Sequence, residues 1–297
     1  PTPQGIKQHT RPEHPPERVH LDHRHTRRLR IRRRYNRNRH NIMSHKIERT
    51  VCWFSCGAAS AVATKLALAK YDNCVIVNQD LSGSEHPDHG RFLKECQDWY
   101  GQEIIQIKSE KYTDIWDVFK KTKWLVGVSG ARCTTELKRK VAEDFINHFK
   151  DREVFGYTIE EERRMIRFKE HNNERIISTP LIDEGLDKDD CLGILDRVGI
   201  KPSAMYEHFD NSNCIGCVKG GQKYWGKIRK HYPEVFDRMA KQERELDVAI
   251  NKTYAGDGKR KKLFLDELPE DEFIIEPERK ISCGLFCMAK SDELNNE

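Results

Sequence analysis

The chain has 297 residues, of which 37% are hydrophobic and 34% charged, with a formal net charge of +5. No apolar run approaches the ~18 residues of a membrane-spanning helix, and no apolar stretch follows the basic N-terminal segment as a secretory signal requires. Ten cysteines without an export signal argue against a disulfide scaffold, so reduced thiols, no membrane and a cytoplasmic setting are expected.

Residues 1–42 hold eleven Arg and one Lys against three acidic residues, a net of +9, which leaves the remaining chain at −4. This segment is rich in Arg, His and Pro without apolar periodicity, and is expected to be a disordered basic tail. Two readings stand for it: a nucleic-acid-binding arm, or sequence upstream of a start at Met43. The second is favoured. The total charge does not imply a basic face on the body of the protein.

From residue 43 the pattern alternates. Strand patterns at 50–55, 73–78, 103–107, 152–156 and 174–178 are separated by helical ones at 58–70, 87–100, 113–121, 134–149 and 159–166. Such alternation predicts an α/β fold over 43–200, a parallel sheet with helices on both faces. Beyond residue 180 strand patterns fade. Helices are expected at 187–197, 202–208, 221–231 and 233–252, with 256–262 as a solvated loop, so 201–297 reads as a helical, cysteine-containing C-terminal region.

Chemistry is suggested first where strand one meets helix one, at Ser55-Cys56-Gly57-Ala58-Ala59-Ser60. Ligands of parallel sheets bind beyond the C-terminal strand ends. Gly57, Ala58 and Ala59 leave the backbone open to a phosphate at the helix N-terminus, and Ser55 and Ser60 add hydroxyls. Neither a Walker loop nor Gly-x-Gly-x-x-Gly is present. A plain strand–helix turn with small residues is the competing reading. Asp80, after strand two, would stand on the same rim and accept from a ribose or adenine donor, or serve as a turn acid.

The cysteines sort into groups. Cys52, Cys74, Cys96 and Cys191 lie in apolar or helical patterns and are expected to be buried thiols. Cys214-Ile215-Gly216-Cys217 and Cys283-Gly284-Leu285-Phe286-Cys287 form two close pairs, and Cys133 precedes Cys214 by 81 residues. Thiolates at such spacing suit an iron–sulfur cluster or zinc. A zinc site of Cys214, Cys217, Cys283 and Cys287 is the rival, and unliganded thiols are the third possibility. Lys219, Lys223, Lys227, Arg229 and Lys230, with Tyr224 and Trp225 nearby, could grip nucleic acid, although a solvated helix face with apolar anchors is favoured.

In order along the chain, several segments carry a resemblance. They are Ser55–Ser60, Asp80–Pro87, Arg132-Cys133-Thr134 with Leu137-Lys138, Gly156 with Glu161 and Arg164, Thr179–Asp183, and Tyr206 and Phe209 before the Cys214–Cys217 pair. Together they resemble the phosphoadenylyl-sulfate (PAPS) reductase family of the adenine nucleotide alpha-hydrolase (PP-loop) superfamily. The resemblance implies a PP-loop, Rossmann-like sheet. It also implies an adenine-nucleotide site formed by Ser55, Gly57, Ala58, Ser60, Asp80, Arg132, Lys138, Glu161 and Arg164. Two departures stand out, Cys56 for the loop's first Gly and Ala59 for its Asp.

The resemblance further implies a [4Fe–4S] cluster held by Cys133, Cys214 and Cys217, with Cys287 or Cys283 as fourth ligand or with one iron left open. Cys283-Gly284-Leu285 resembles the reductases' nucleophile segment, with Ser282 for Glu and Phe286 for His. Cys283 is then a nucleophile or a ligand, the nucleophile being preferred. The expected function is a PAPS reductase-like enzyme of sulfur metabolism. Its partners would be ATP, adenylyl sulfate (APS) or PAPS, and a thiol donor such as thioredoxin. A homodimer is allowed. One alternative is an ATP-dependent sulfurtransferase that thiolates tRNA or DNA. Another is an inactive nucleotide-binding or zinc-stabilised module.

Overall fold

Strand β1 (Arg49–Trp53) organises the molecule because its alternate side chains enter two different cores. The computed structural model describes residues 47–127, 130–254, 258–270 and 281. The expected tail at 1–42, Cys283 and Cys287 lie outside these residues. In β1, Cys52 and the following Phe54 face one core, while Val51 and Trp53 face the other. Side chains alternate along a strand, so a helical layer is required on each face.

The first layer holds α1 (Ala58–Lys70) and α2 (His89–Tyr100). Ala58, Ala61, Ala63 and Ala67 are buried along α1. Their small side chains give good helix propensity and let α1 lie close to the sheet. Strands β2 (Cys74–Gln79) and β3 (Ile104–Ile107) follow, then α3 (Ile115–Thr122). Asp114 caps α3 by accepting from Asp117 N at 2.7 Å. A two-residue ladder, β4 (Val126–Gly127) with β5 (Gly130–Ala131), leads into a π-helical stretch, Thr134–Arg139, and α4 (Lys140–Phe145).

Strand β6 (Asp151–Val154), α5 (Glu162–His171) and β7 (Ile176–Ser178) complete the main sheet. Its order is β3-β2-β1-β6-β7, with every neighbour parallel. The chain thus runs outward from β1 in one direction and then returns to β1's other side. The α/β class and the parallel sheet agree with the sequence pattern. Ala142 of α4 and Met165 and Phe168 of α5 cover the Val51–Trp53 face. The Cys52–Phe54 face is covered by α1, α2 and, after α6 (Pro180–Glu184), by α7 (Lys188–Arg197).

A third core joins earlier and later parts of the chain. Trp116 and Phe119 of α3 and Leu137 pack with Cys214, Cys217, Tyr224 and Trp225, and with Phe236 and Met239. These residues bring α8 (Gln222–His231) and α9 (Pro233–Leu246) against the same cluster. Burial of each large side chain contributes about 1.5–3 kcal/mol.

Several boundaries differ from the sequence reading. The helix expected at 134–149 stops at Phe145, because Asn147 N turns to Asp151 Oδ2 at 2.8 Å. The one expected at 202–208 is a short 3₁₀ turn, Ala204–Glu207. The helix expected to reach 252 ends at Leu246, with Asp247 left-handed at φ 49°. The region expected as helix end and solvated loop instead forms a hairpin of β8 (Asn251–Tyr254) and β9 (Arg260–Leu263). Cys52, Cys96 and Cys191 are fully buried as expected, but Cys74 is half-buried, since it opens its strand.

Glu243 anchors that hairpin. Its fully buried carboxylate accepts from Ile250 N through one oxygen and from Leu265 N through the other. Burial pushes this carboxyl up to about 7, against the pull of the two N–H donors. The folded protein therefore holds a proton in a range where the unfolded chain has released it. Stability falls as pH rises from the ordinary glutamate value through about 7, by on the order of 3 kcal/mol at most. Glu243→Gln loses one acceptor and should cost about 1–3 kcal/mol at pH 5. Urea midpoints at pH 5 and pH 8 should show the gap between parent and variant narrowing at the higher pH.

Candidate active site: the strand–helix loop and the cysteine cavity

At the point where the sheet order reverses, β1 ends and the chain turns through Ser55–Gly57 into α1. Phe54 N still pairs with Val77 O at 2.9 Å. Cys56 then takes φ 54°, a left-handed conformation that favours glycine. The Cys-for-Gly departure thus falls where a side chain carries a conformational cost. Cys56 is nevertheless buried, and its thiol receives Asn78 Nδ2 at 3.7 Å. Burial, then the charge of Glu85, pushes this thiol's pKa well up, so it is held as a neutral thiol.

Ser60 is the hub of the loop. Its Oγ accepts from Ser55 N at 3.1 Å and Gly57 N at 3.3 Å, lies 3.2 Å from Ser55 Oγ, and donates to Gly57 O at 2.9 Å. Gly156, just past β6, lies against this residue: a Cβ there would stand 2.7 Å from both Ser60 N and Ser60 Cα. Only glycine permits that approach of one backbone to another. The hydroxyl of Tyr206 reaches in from the other side and accepts from Ala58 N at 3.2 Å. Burial raises the pKa of this phenol.

The other expected nucleotide residues divide. Asp80 stands on the rim after β2, where Oδ1 accepts from Ser82 N at 3.0 Å, a turn-capping role. Arg132 pairs with the buried Glu136 at 2.8 Å, and so does Lys140. Glu161 and Arg164 pair with each other at 2.7 Å, and the Arg164 guanidinium lies 4.8 Å from the Tyr157 ring centroid. Lys138 is tied to the rim through its carbonyl, which accepts from Gln79 Nε2 at 2.7 Å. Its charge also acts on the Cys56 thiol, lowering that pKa against the larger effect of burial. Lys169, which the motifs did not mark, donates to Thr179 Oγ1 at 3.3 Å just past β7, and burial lowers its pKa.

Lys138 also lines a cavity of about 20 Å³ that brings together Cys133, Cys214 and Cys217. Leu81, Ile115, Ala131 and Leu137 supply apolar walls, and Lys219 stands at its edge. Two hydrogen bonds from Ser84 position these walls: its Oγ accepts from Ile115 N at 3.1 Å and its carbonyl from Ile215 N at 2.8 Å. The Cys214–Cys217 turn is held by Tyr224. That phenol donates to Cys214 O at 2.9 Å and accepts from Gly216 N at 3.1 Å and Cys217 N at 3.0 Å. Gly216 is left-handed at φ 82°. Gly220 must lack a side chain, since a Cβ would lie 2.0 Å from the Tyr224 ring.

Three thiols in an apolar pocket fit a thiolate-held metal group in the chemistry of their donors. The space as it stands is about that of one water. Among the described residues, no group of three or more His, Cys, Asp or Glu side chains is arranged to hold a metal ion. Loading would therefore need the thiol-bearing segments to separate. Tyr224 and Trp225 are buried at 1% and 0% exposure, so neither can stack a base. The reading of α8 as a solvated face with apolar anchors holds.

No protein-family model matches the chain, and no curated protein matches it as a relative. Sequence reasoning missed Tyr206 as a loop contact, and it missed Tyr224 and Gly220 as supports of the cysteine turn. The Gly-Gly-x-x-Tyr spacing after Cys217 was the available signal.

Two substitutions test this geometry. Gly156→Ala forces the N-terminus of α1 away from β6 and should lower stability by about 2 kcal/mol or more in urea unfolding. Tyr224→Phe orphans two buried N–H groups, at about 1–3 kcal/mol each. Mass spectrometry should then find faster alkylation of Cys214 and Cys217 than in the parent protein.

Proposed function

We propose that the chain binds an adenine nucleotide over Ser55–Ser60 and carries out sulfur chemistry of the PAPS reductase kind. The observation that carries this reading is the small-residue loop at the reversal of the sheet order, linked through Lys138 to a cavity lined by three cysteines. Phosphate oxygens would take the place of the Tyr206 hydroxyl as acceptor from Ala58 N at the start of α1, where the helix dipole favours negative charge. The exposed Ser55 would turn its hydroxyl from Ser60 Oγ to a phosphate oxygen, while the buried Ser60 keeps the loop in shape through Gly57 O. Asp80 lies on the rim within reach of the nucleoside end. Ala59 supplies no carboxylate, which favours a substrate already activated as an adenylyl sulfate.

In that reaction Cys283 attacks the sulfate sulfur as a thiolate. The sulfur–oxygen bond to the nucleotide phosphate breaks, and the adenine nucleotide leaves. A dithiol donor then attacks the Cys283 sulfur and expels sulfite. Its second thiol frees Cys283, so the donor is oxidised to a disulfide by two electrons. Cys133, Cys214 and Cys217, with Cys287 or Cys283, would hold a [4Fe–4S] cluster, with zinc as the rival. A cluster held there would supply a redox-active centre.

A second reading starts from the same thiols: among the described residues the cavity gathers Cys133, Cys214 and Cys217, and a cluster held by these three alone would keep one iron open. This reading is ATP-dependent transfer of sulfur to a nucleic acid. Anaerobic purification followed by iron, sulfide and zinc analysis should yield a brown protein with iron and sulfide in equal amounts. Sulfite release from adenylyl sulfate should vanish in Cys283→Ser. Ser60→Ala should weaken nucleotide binding by about tenfold, because it removes the acceptor of Ser55 N and Gly57 N that holds the loop in shape. Pyrophosphate release from ATP only when nucleic acid is present would displace the reductase reading in favour of sulfur transfer.

A further inference from the structure

The β8–β9 hairpin concentrates charge that neither site uses. Antiparallel pairing sets Lys252 opposite Lys262 and Tyr254 opposite Arg260. By strand alternation these four share one face. All four are exposed, and Tyr254 keeps 65% of its surface in water. Arg260 Nε donates to Tyr254 Oη at 3.4 Å, and its guanidinium lies 5.9 Å from the ring centroid. Lys262 pairs with Asp247 at 2.7 Å. Lys261 extends the positive charge to the opposite face.

Like charges directly across a ladder repel. Asp247 offsets part of this at Lys262, and the face keeps an excess of positive charge at Lys252 and Arg260 that an anion laid along it would meet. The anion's shape is also constrained. An exposed aromatic ring beside Arg260, on a face that also carries Lys252 and Lys262, matches an unpaired base with its flanking phosphates. A duplex keeps its bases stacked and offers no such face. The hairpin is tied to the start of α8, where Gln222 Nε2 donates to Lys252 O at 3.4 Å.

We infer that this face grips single-stranded nucleic acid, with phosphates along Lys252, Arg260 and Lys262 and a base stacked on Tyr254. The inference goes beyond nucleotide binding at Ser55–Ser60 and does not depend on it. The test is fluorescence anisotropy with the full chain and fluorescein-labelled oligo-dT, oligo-U and a duplex of equal length. Lys252→Glu/Arg260→Glu should weaken both single strands about tenfold or more, and should lower the salt slope by about 1.4, the value for two lost contacts. Tyr254→Ala should weaken single strands by about 5- to 150-fold and leave the duplex unaffected.

Residues 1–42 are common to all variants, so their background binding cancels. Lys94→Glu/Lys120→Glu, at exposed positions on α2 and α3, serves as the charge control. Circular dichroism confirms that each variant is folded. Hairpin variants that bind like the control would overturn the inference. So would equal affinity for duplex, or competition by polyglutamate as strong as by oligonucleotide. The two single strands separate DNA from RNA preference. ATP binding measured on the same proteins reports on the nucleotide loop separately.

Discussion

The approach of Gly156 to the backbone of Ser60 is the contact on which the rest of the candidate site depends. It is possible only because β1 and β6 are adjacent parallel strands and because residue 156 has no side chain. It sets the start of α1 against the end of β6. That placement leaves the first N–H groups of the helix at the rim of the sheet, where the chain order reverses. Ser60 then closes the loop with its hydroxyl, and Tyr206 meets it from the C-terminal half. A helix N-terminus held in this way is prepared to meet negative charge.

The cysteine cavity is built on a similar principle, with buried polar atoms used as struts. Ser84 ties the segment after β2 both to α3 and to the Cys214–Cys217 turn. Tyr224 satisfies three backbone groups of that turn from within the core. Each unmade bond in such a setting is costly, so these residues hold the thiols in place more firmly than loop packing could. Lys138 stands between the loop and the cavity, and its position comes from the π-helical stretch that begins at Thr134. The extra residue in that turn, with Lys140 N bonded to Thr135 O, brings it to the rim.

Much of the main sheet was legible because its strands are short apolar runs and its helices carry clear periodicity. Helix α1 was read to the residue, since Ala-rich propensity and a buried small-residue face agree. The C-terminal elements were not. The Lys-rich strand β9 has no apolar alternation to mark it, and it forms because Glu243 pins the backbone on both sides of the hairpin from inside the core. Tyr224 and Trp225, by contrast, were favoured from the sequence as apolar anchors over base-stacking residues, and both are buried in the core. Arg132, Glu161 and Arg164 are each engaged in an ion pair with a near neighbour, Arg132 with Glu136 and Glu161 with Arg164, at the i,i+4 and i,i+3 spacings of helical pairs.

By itself, the sequence determined the α/β class, the position of the small-residue loop between strand and helix, and the set of thiols. These follow from local properties: periodicity, side-chain size and residue identity. The tertiary structure decided which of them meet. Cys133 reaches Cys214 and Cys217 across 81 residues because a shared hydrophobic core draws α3, the π-helical stretch and α8 together. Gly156 finds Ser60 because strand order, which no local signal encodes, sets β6 beside β1. Long-range pairing is settled by the burial of whole faces, and that is a property of the folded chain.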